Sequence, residues 1–155
     1  MATPKIGSKV KDFSLPSSGG TTWSLGQAAG RKLVIYFYPK DMTSGCTRES
    51  QDFRDLYSAF RKAGVDIVGV SRDSVKSHDK FIDKEKLPFP LLCDADEKLC
   101  KQFDVIQEKS LYGKKYLGIE RSTFLLDATG ILRREWRKVK VPGHAEEVLE
   151  ATKSL

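Results

Sequence analysis

The feature that most limits the fold of this chain is an apolar run that ends at a proline. Residues 33–38, LVIYFY, are apolar without alternation, and Pro39 follows them directly. An unbroken apolar run of this length is typical of a strand that is buried on both faces. Proline has no N–H group to donate to a neighbouring strand, so the strand should end there. The run therefore predicts a central strand in a sheet that helices cover on both sides.

A polar loop and an amphipathic segment come after Pro39. Apolar side chains then recur at the i, i+3, i+4, i+7 spacing of a helix packed on a sheet, at Phe53, Leu56, Tyr57 and Phe60. Gly64 should end this helix, because glycine readily adopts the left-handed conformation. Thr43 or Ser44 is the predicted N-cap, and either choice places Cys46 in the first helical turn.

Cys46 is the candidate reactive residue. A thiol in the first turn lies near unpaired backbone N–H groups and the positive end of the helix dipole, which favour the thiolate form. The residues on either side are small or polar, so we expect the sulfur to be accessible. The Thr43 hydroxyl can face the sulfur, and Gly45 would let the backbone approach a small ligand closely. The alternative is that Cys46 is a small buried core residue, as many free cysteines are.

Strands and helices alternate along the rest of the chain. The pattern predicts a hairpin around Ser17–Gly20, a strand at 65–70, a helix at 74–86, a short strand at 88–92, a helix from Asp94, a loop at 105–120, a second hairpin at 123–136 and a final helix after Gly143. This order predicts an α/β sandwich in which helices flank a mixed central sheet that carries an N-terminal hairpin. A length of 155 residues is that of a single domain, 1–155.

Composition excludes several classes of protein. No apolar run approaches the roughly 18 residues that a membrane helix needs, so we expect no membrane partner. The first residues lack the apolar segment of a secretory leader, and three irregularly spaced cysteines suit a reducing compartment, so we expect a cytoplasmic protein. The net charge of +6 raises the alternative of a nucleic-acid-binding or chaperone-like module. Its best support is the basic segment 133–140, but apolar residues alternate there as on a solvated strand, so we expect no nucleic acid.

The segment around Cys46 resembles the active-site signature of the peroxiredoxins, Pro39-x-x-x-Thr43-x-x-Cys46. The longer string YFYPKDMTSGCTRE, residues 36–49, is similar to the bacterioferritin comigratory protein, or peroxiredoxin Q, branch. Residues 7–15, 66–71 and 121–127 are also similar to that branch, in the same order. The resemblance therefore covers nearly the whole chain.

This resemblance implies a thioredoxin-like fold and a thiol-dependent peroxidase that acts on hydrogen peroxide and organic hydroperoxides. It implies that Cys46 is the peroxidatic cysteine, with Thr43 as a hydroxyl partner and Arg121 as a guanidinium partner at the start of a late strand. Pro39 and Gly45 would belong to the substrate-binding loop. We expect no cofactor and no metal ion, and the resemblance favours a monomer.

Regeneration is where the sequence departs from a common pattern of this branch. A resolving cysteine often stands five residues after the first, where this chain has Gln51, and residues 74–86 contain no cysteine either. Cys93 and Cys100 remain as candidates, although Cys100 shares an apolar helix face and Cys93 ends a short strand. We favour a one-cysteine peroxidase reduced by an external thiol such as thioredoxin, glutaredoxin or glutathione. An intramolecular Cys46–Cys93 or Cys46–Cys100 disulfide is the alternative.

Other cysteine enzymes fit the sequence less well. A thioredoxin-type oxidoreductase needs Cys-x-x-Cys, but residue 49 is Glu49. A cysteine phosphatase would require an arginine where this chain has Asp52. A Cys–His hydrolase would need His78 or His144 as its base. The sequence predicts instead that His78 lies on a helix surface and that His144 begins the last helix.

Overall fold

A seven-stranded mixed sheet organises the fold, with helices on both of its faces. The computed structural model describes residues 3–155. In chain order, the elements are β1 (Ser14–Ser17), β2 (Thr21–Ser24), β3 (Lys32–Phe37), α1 (Ser44–Asp55), α2 (Tyr57–Lys62), β4 (Val65–Ser71), α3 (Val75–Glu85), β5 (Leu91–Cys93), α4 (Lys98–Gln102), β6 (Ile106–Leu111), β7 (Lys114–Ile119), β8 (Ser122–Leu126), β9 (Leu132–Trp136) and α5 (His144–Lys153).

The strands of the sheet follow the order β2-β1-β5-β4-β3-β8-β9. Strand β3 pairs in parallel with β4, and β4 in parallel with β5, whereas β3–β8 and β8–β9 are antiparallel. The β1–β2 hairpin extends one edge, where β1 pairs antiparallel with β5. The predicted mixed sheet with an added N-terminal hairpin is therefore confirmed.

Strand β3 lies between two apolar clusters, as its unbroken apolar run predicts. Leu33, Ile35 and Phe37 pack into the cluster that contains α4. The alternate residues Val34 and Tyr36 pack into the cluster on the other face, which contains side chains of α1, α2, α3 and α5. Because successive side chains of a strand point to opposite faces, the sheet separates the two clusters.

The predicted helix after Pro39 is divided in two. Helix α1 ends at Asp55 and α2 begins at Tyr57, with Leu56 in a non-helical conformation between them. The Phe53 and Phe60 rings on either side of the break are both fully buried, with centroids 5.9 Å apart. The chain then turns at Gly64, whose φ of 77° is the left-handed conformation predicted for the end of the helix.

Residues 105–120 were predicted to form a loop, and this prediction is wrong. They contain the β6–β7 hairpin, a separate two-stranded sheet. Tyr112 and Gly113 both have positive φ and form its two-residue turn, as in the primed turns that suit hairpins. Most β7 side chains are exposed, so the segment lacks the alternation of apolar residues that normally identifies a strand.

The short strand predicted at 88–92 begins later, as β5, because Pro88 and Pro90 cannot donate to a ladder. The helix predicted from Asp94 begins only at Lys98, after Glu97 with its left-handed φ of 61°. The other predicted elements are present with small shifts at their ends. No helix within residues 3–155 is both long enough and apolar enough to cross a membrane.

Candidate active site

The loop that leads to Cys46 starts at the carboxyl end of β3, between the neighbouring strands β4 and β8. Thr43 is the N-cap of α1, and the first helical hydrogen bond runs from Thr47 N to Thr43 O, at 2.9 Å. The N–H groups of Ser44, Gly45 and Cys46 therefore precede the first helical bond. The predicted position of Cys46 in the first turn is confirmed, at the edge of an open α/β sheet where ligands usually bind.

Cys46 itself is only 1% exposed, so the prediction of an accessible sulfur is wrong. The small polar residues beside it lie on other faces of α1 and do not describe its surroundings. Its own face is a helical stripe of buried residues, Cys46, Glu49, Ser50 and Phe53. The sulfur therefore lies at the edge of the core, against the cluster that includes Tyr36.

A guanidinium group nevertheless reaches the buried sulfur. Arg121 immediately precedes β8, as predicted, and its Nη2 donates to Cys46 Sγ at 3.3 Å. Its Nη1 donates to Glu49 Oε1 at 2.7 Å, so one guanidinium group bridges the thiol and a carboxylate. Desolvation disfavours the charge of Arg121, but Glu49 and Cys46 outweigh it and raise the pKa of Arg121.

Glu49 is a site residue that the sequence did not reveal. It is 1% exposed, and burial raises its pKa to about 7 although Arg121 opposes that shift. Its second carboxylate oxygen, Oε2, has no hydrogen-bond partner among the described residues. The sequence could have indicated this position, because Glu49 follows Cys46 by three residues and therefore lies on the same face of the predicted helix.

Thr43, Gly45 and Pro39, the remaining predicted site residues, belong to the loop before α1 and to its first turn. Thr43 Oγ1 donates its proton to Lys40 O at 2.8 Å, which leaves the lone pairs of the hydroxyl oxygen available to accept. A side chain at Gly45 would crowd the guanidinium, because a Cβ atom there would lie 3.1 Å from Arg121 Nη2. Pro39 is half-buried and follows the last residues of the central strand.

His78 was predicted to lie on a helix surface, and this prediction is wrong. Its side chain is fully buried, with Nδ1 2.7 Å from Asp41 Oδ2 and Nε2 2.9 Å from Leu92 O. The helical spacing placed His78 on the same side of α3 as Val75 and Ile82, which did not indicate what that side faces. The partners of His78 come from the loop before α1 and from β5, which the local pattern does not describe.

His144 begins α5, as predicted, and is also buried. Its Nε2 lies 2.8 Å from Thr123 Oγ1, and burial, followed by the charge of Arg121, lowers its pKa to about 4. Within residues 3–155, no hydrogen bond joins either histidine to Cys46. The site therefore lacks the thiol–imidazole contact that a Cys–His hydrolase requires.

The other two cysteines differ in their surroundings. Cys100 is fully buried in the cluster on the opposite face of the sheet from Cys46, as expected for a structural cysteine. Burial, reinforced by Asp94, raises the pKa of Cys100 far above its usual range, so its thiol stays protonated. Cys93 is half-buried at the end of β5.

Residues 6–135 match the AhpC/TSA family. The chain belongs to that family. It is 59% identical over 143 residues to Peroxiredoxin Bcp of Xanthomonas campestris, and the aligned region covers 92% of this chain and 89% of that protein. Peroxiredoxin Bcp of Bacillus subtilis is 49% identical over 153 residues, covering 99% of this chain and 98% of the relative.

Solved structures agree with the family assignment. Peroxiredoxin Q of Xanthomonas campestris superimposes with a TM-score of 0.88 at 59% identity, covering 92% of this chain and 90% of that chain. A cysteine-to-serine mutant of Xylella fastidiosa PrxQ superimposes with a TM-score of 0.93 at 46% identity, covering 99% and 98%. Another Xanthomonas structure concerns the alkyl peroxide reduction activity of its bacterioferritin comigratory protein.

These likenesses confirm the predicted peroxiredoxin Q branch and its thioredoxin-like fold. As a member of this branch of the AhpC/TSA family, the chain is a thiol-dependent peroxidase.

Proposed function

We propose that Cys46 is the residue of this peroxidase that attacks the peroxide. The observation that carries the proposal is the guanidinium of Arg121, 3.3 Å from Cys46 Sγ at the start of α1. A positive charge and a helix N-terminus both favour a thiolate over a thiol. Cys93 and Cys100 have no arginine hydrogen-bonded to their sulfur among the described residues.

In the proposed reaction, the Cys46 thiolate attacks one oxygen of the peroxide. A sulfur–oxygen bond forms as the oxygen–oxygen bond breaks, which leaves a sulfenic acid on Cys46. The second oxygen leaves with the electron pair, takes up a proton and departs as water or as an alcohol. Arg121 and the N–H groups at the start of α1 are donors that can stabilise the charge on this leaving oxygen.

We assign the Thr43 hydroxyl to holding the peroxide. Because its proton is donated to Lys40 O, the hydroxyl oxygen is free to accept the O–H of a peroxide. Thr43→Val keeps the shape but loses the oxygen, so we expect the rate constant for Cys46 oxidation to fall by about 10- to 100-fold. Thr43→Ser keeps the oxygen and should lose little. Stopped-flow oxidation of the reduced variants measures both rate constants. If Thr43→Val kept the rate constant of the parent protein, the Thr43 hydroxyl would have no role in holding the peroxide.

We further propose that an external thiol reduces the sulfenic acid. Cys100 lies on the opposite face of the sheet from Cys46, which argues against a bridge between them. Cys46 Sγ is 1% exposed and is held 3.3 Å from Arg121 Nη2. A disulfide requires Cα atoms within about 7 Å and a sulfur free to bond, so a Cys46–Cys93 bridge would have to break this contact. Gln51, at the common resolving position, donates to Glu85 Oε1 at 2.8 Å.

One equivalent of peroxide, followed by mass spectrometry under non-reducing conditions, distinguishes the two routes. We expect an oxidised Cys46 with Cys93 and Cys100 still reduced, and a mixed disulfide on Cys46 once glutathione is added. Turnover with thioredoxin and with glutathione plus glutaredoxin, assayed in parallel, identifies the class of reductant. A peptide pair that links Cys46 to Cys93 or Cys100 would refute the one-cysteine route.

The burial of Cys46 adds a requirement to this cycle. A peroxide is small, but a protein thiol cannot reach a sulfur that is 1% exposed without displacing its neighbours. We therefore propose that the first turn of α1 opens while the reductant acts.

We also propose that residues 1–155 form one domain, because a single main sheet lies between both apolar clusters. Three free cysteines support a reducing compartment such as the cytoplasm.

A further inference from the structure

The loop before α1 contains a residue in an unfavourable conformation. Met42, immediately before Thr43, has a φ of 64°, in the left-handed region that residues other than glycine seldom adopt. Such a conformation persists only where the surrounding structure holds it. Met42 is itself 43% exposed, so its own side chain contributes little to holding it there.

The neighbouring residue Asp41 provides the anchor. Its side chain is buried, accepts hydrogen bonds from the Tyr38 hydroxyl and from Ser77 Oγ at 2.8 Å, and lies 2.7 Å from His78 Nδ1. Its backbone N–H donates to Asp73 Oδ2 at 2.8 Å. Two of these partners, Ser77 and His78, belong to α3, so that helix is tied directly to the loop that carries Thr43.

Both ring nitrogens of His78 have a buried hydrogen-bond partner. Its Nε2 lies 2.9 Å from Leu92 O, and a carbonyl oxygen can only accept, so Nε2 carries a proton. Its Nδ1 lies 2.7 Å from Asp41 Oδ2, and the same carboxylate accepts the protons of the Tyr38 and Ser77 hydroxyl groups. The imidazole therefore connects the loop before α1 to β5 through one buried side chain.

We propose that His78 is a positioning residue of the peroxidase site. It does not contact Cys46. It holds Asp41 in place, and Asp41 in turn holds the strained turn at Met42 that positions Thr43 at the start of α1. The inference rests on the proposed function, since it concerns the same loop and the same oxidation of Cys46.

Two substitutions separate positioning from packing. His78→Asn places an amide N–H near the position of Nδ1 and keeps the bond to Asp41, whereas His78→Gln places one near Nε2 and keeps the bond to Leu92 O. We expect the second-order rate of Cys46 oxidation to fall about tenfold or more in His78→Gln and to remain within about threefold of the parent in His78→Asn. A role in packing alone would lower both rates together. Equal rates in the two variants, at any level, would overturn the proposal.

Ser74→Ala is the matched control on the same helix. Ser74 Oγ accepts from Ser77 N at 3.1 Å as the N-cap of α3, and among the described residues it makes no hydrogen bond to the loop. Its removal should lower the melting temperature because the helix loses its cap, but should leave the oxidation rate unchanged. A rate loss equal to that of His78→Gln would mean that any weakening of α3 is enough, which also overturns the proposal.

The parent protein allows a test that requires no variant. Nitrogen-15 spectra of the histidine rings at neutral pH should show a proton on Nε2 of His78, because Leu92 O can only accept a hydrogen bond. His144, whose pKa is lowered to about 4, is neutral under the same conditions and serves as the reference in the same sample. A bare Nε2 in His78 would overturn the proposal, because the bond to Leu92 O that orients the ring toward Asp41 would not exist. This result does not depend on turnover, so a parent protein unreactive toward peroxide would refute the role of Cys46 separately.

Discussion

Replacing Cys46 with serine should abolish peroxide consumption. A hydroxyl group ionises far less readily than a thiol and cannot form the sulfenic acid, so neither the attack nor the later reduction by a thiol can occur. The substitution exchanges one atom at a site that is 1% exposed, so the fold should remain intact. The measurement is peroxide loss with thioredoxin and with glutathione plus glutaredoxin, each compared with a reaction that lacks protein.

The other cysteines provide the controls for this result. Cys93→Ser and Cys100→Ala should retain turnover with the external thiol, although Cys100→Ala will lose some stability because it opens space in the core. Residual turnover in Cys46→Ser above that of the protein-free reaction would refute the assignment of Cys46. A chaperone-like or nucleic-acid-binding module makes the opposite prediction, since its binding would not depend on Cys46.

Local patterns in the sequence predicted the elements around the site well. The apolar run 33–38 and Pro39 indicated the central strand and its end, and Thr43 was correctly one of the two predicted N-caps. Each of these features depends on residues close together in the chain. Backbone sterics and the periodicity of a strand or a helix are sufficient to determine them.

The contacts that complete the site depend on the tertiary fold. Arg121 is 75 residues from Cys46 in the chain, and it reaches the sulfur only because β8 pairs with β3. Among 27 lysines and arginines, only the family resemblance singled it out. His78 was misplaced for the same reason, since its buried partners Asp41 and Leu92 come from two other segments. Residues of one element do not reveal which residues of another will face them.

Replacing Arg121 with alanine should reduce the oxidation rate of Cys46 by about 100- to 1000-fold, the usual effect of removing a donor that stabilises developing charge. A return of the thiol to its ordinary ionisation would explain only part of so large an effect. A thiol with the ordinary pKa of about 8.5 is still about 3% ionised at pH 7, so its full ionisation contributes at most about thirtyfold. We therefore expect the deficit to persist at a pH where the thiol is ionised in both proteins. Stopped-flow rates across that range measure it.

Arg121→Ala also threatens the fold, because it leaves Glu49 buried without its partner. Removing one member of a buried ion pair costs about 3–5 kcal/mol, and Glu49 lies 2.7 Å from the guanidinium at 1% exposure. The double variant Arg121→Met with Glu49→Gln removes the unpaired carboxylate and keeps most of the volume. It should recover much of the lost stability but little of the lost rate. If the double variant regained the parent rate, Arg121 would matter only for folding, and the positive charge beside Cys46 Sγ would have no part in breaking the peroxide bond.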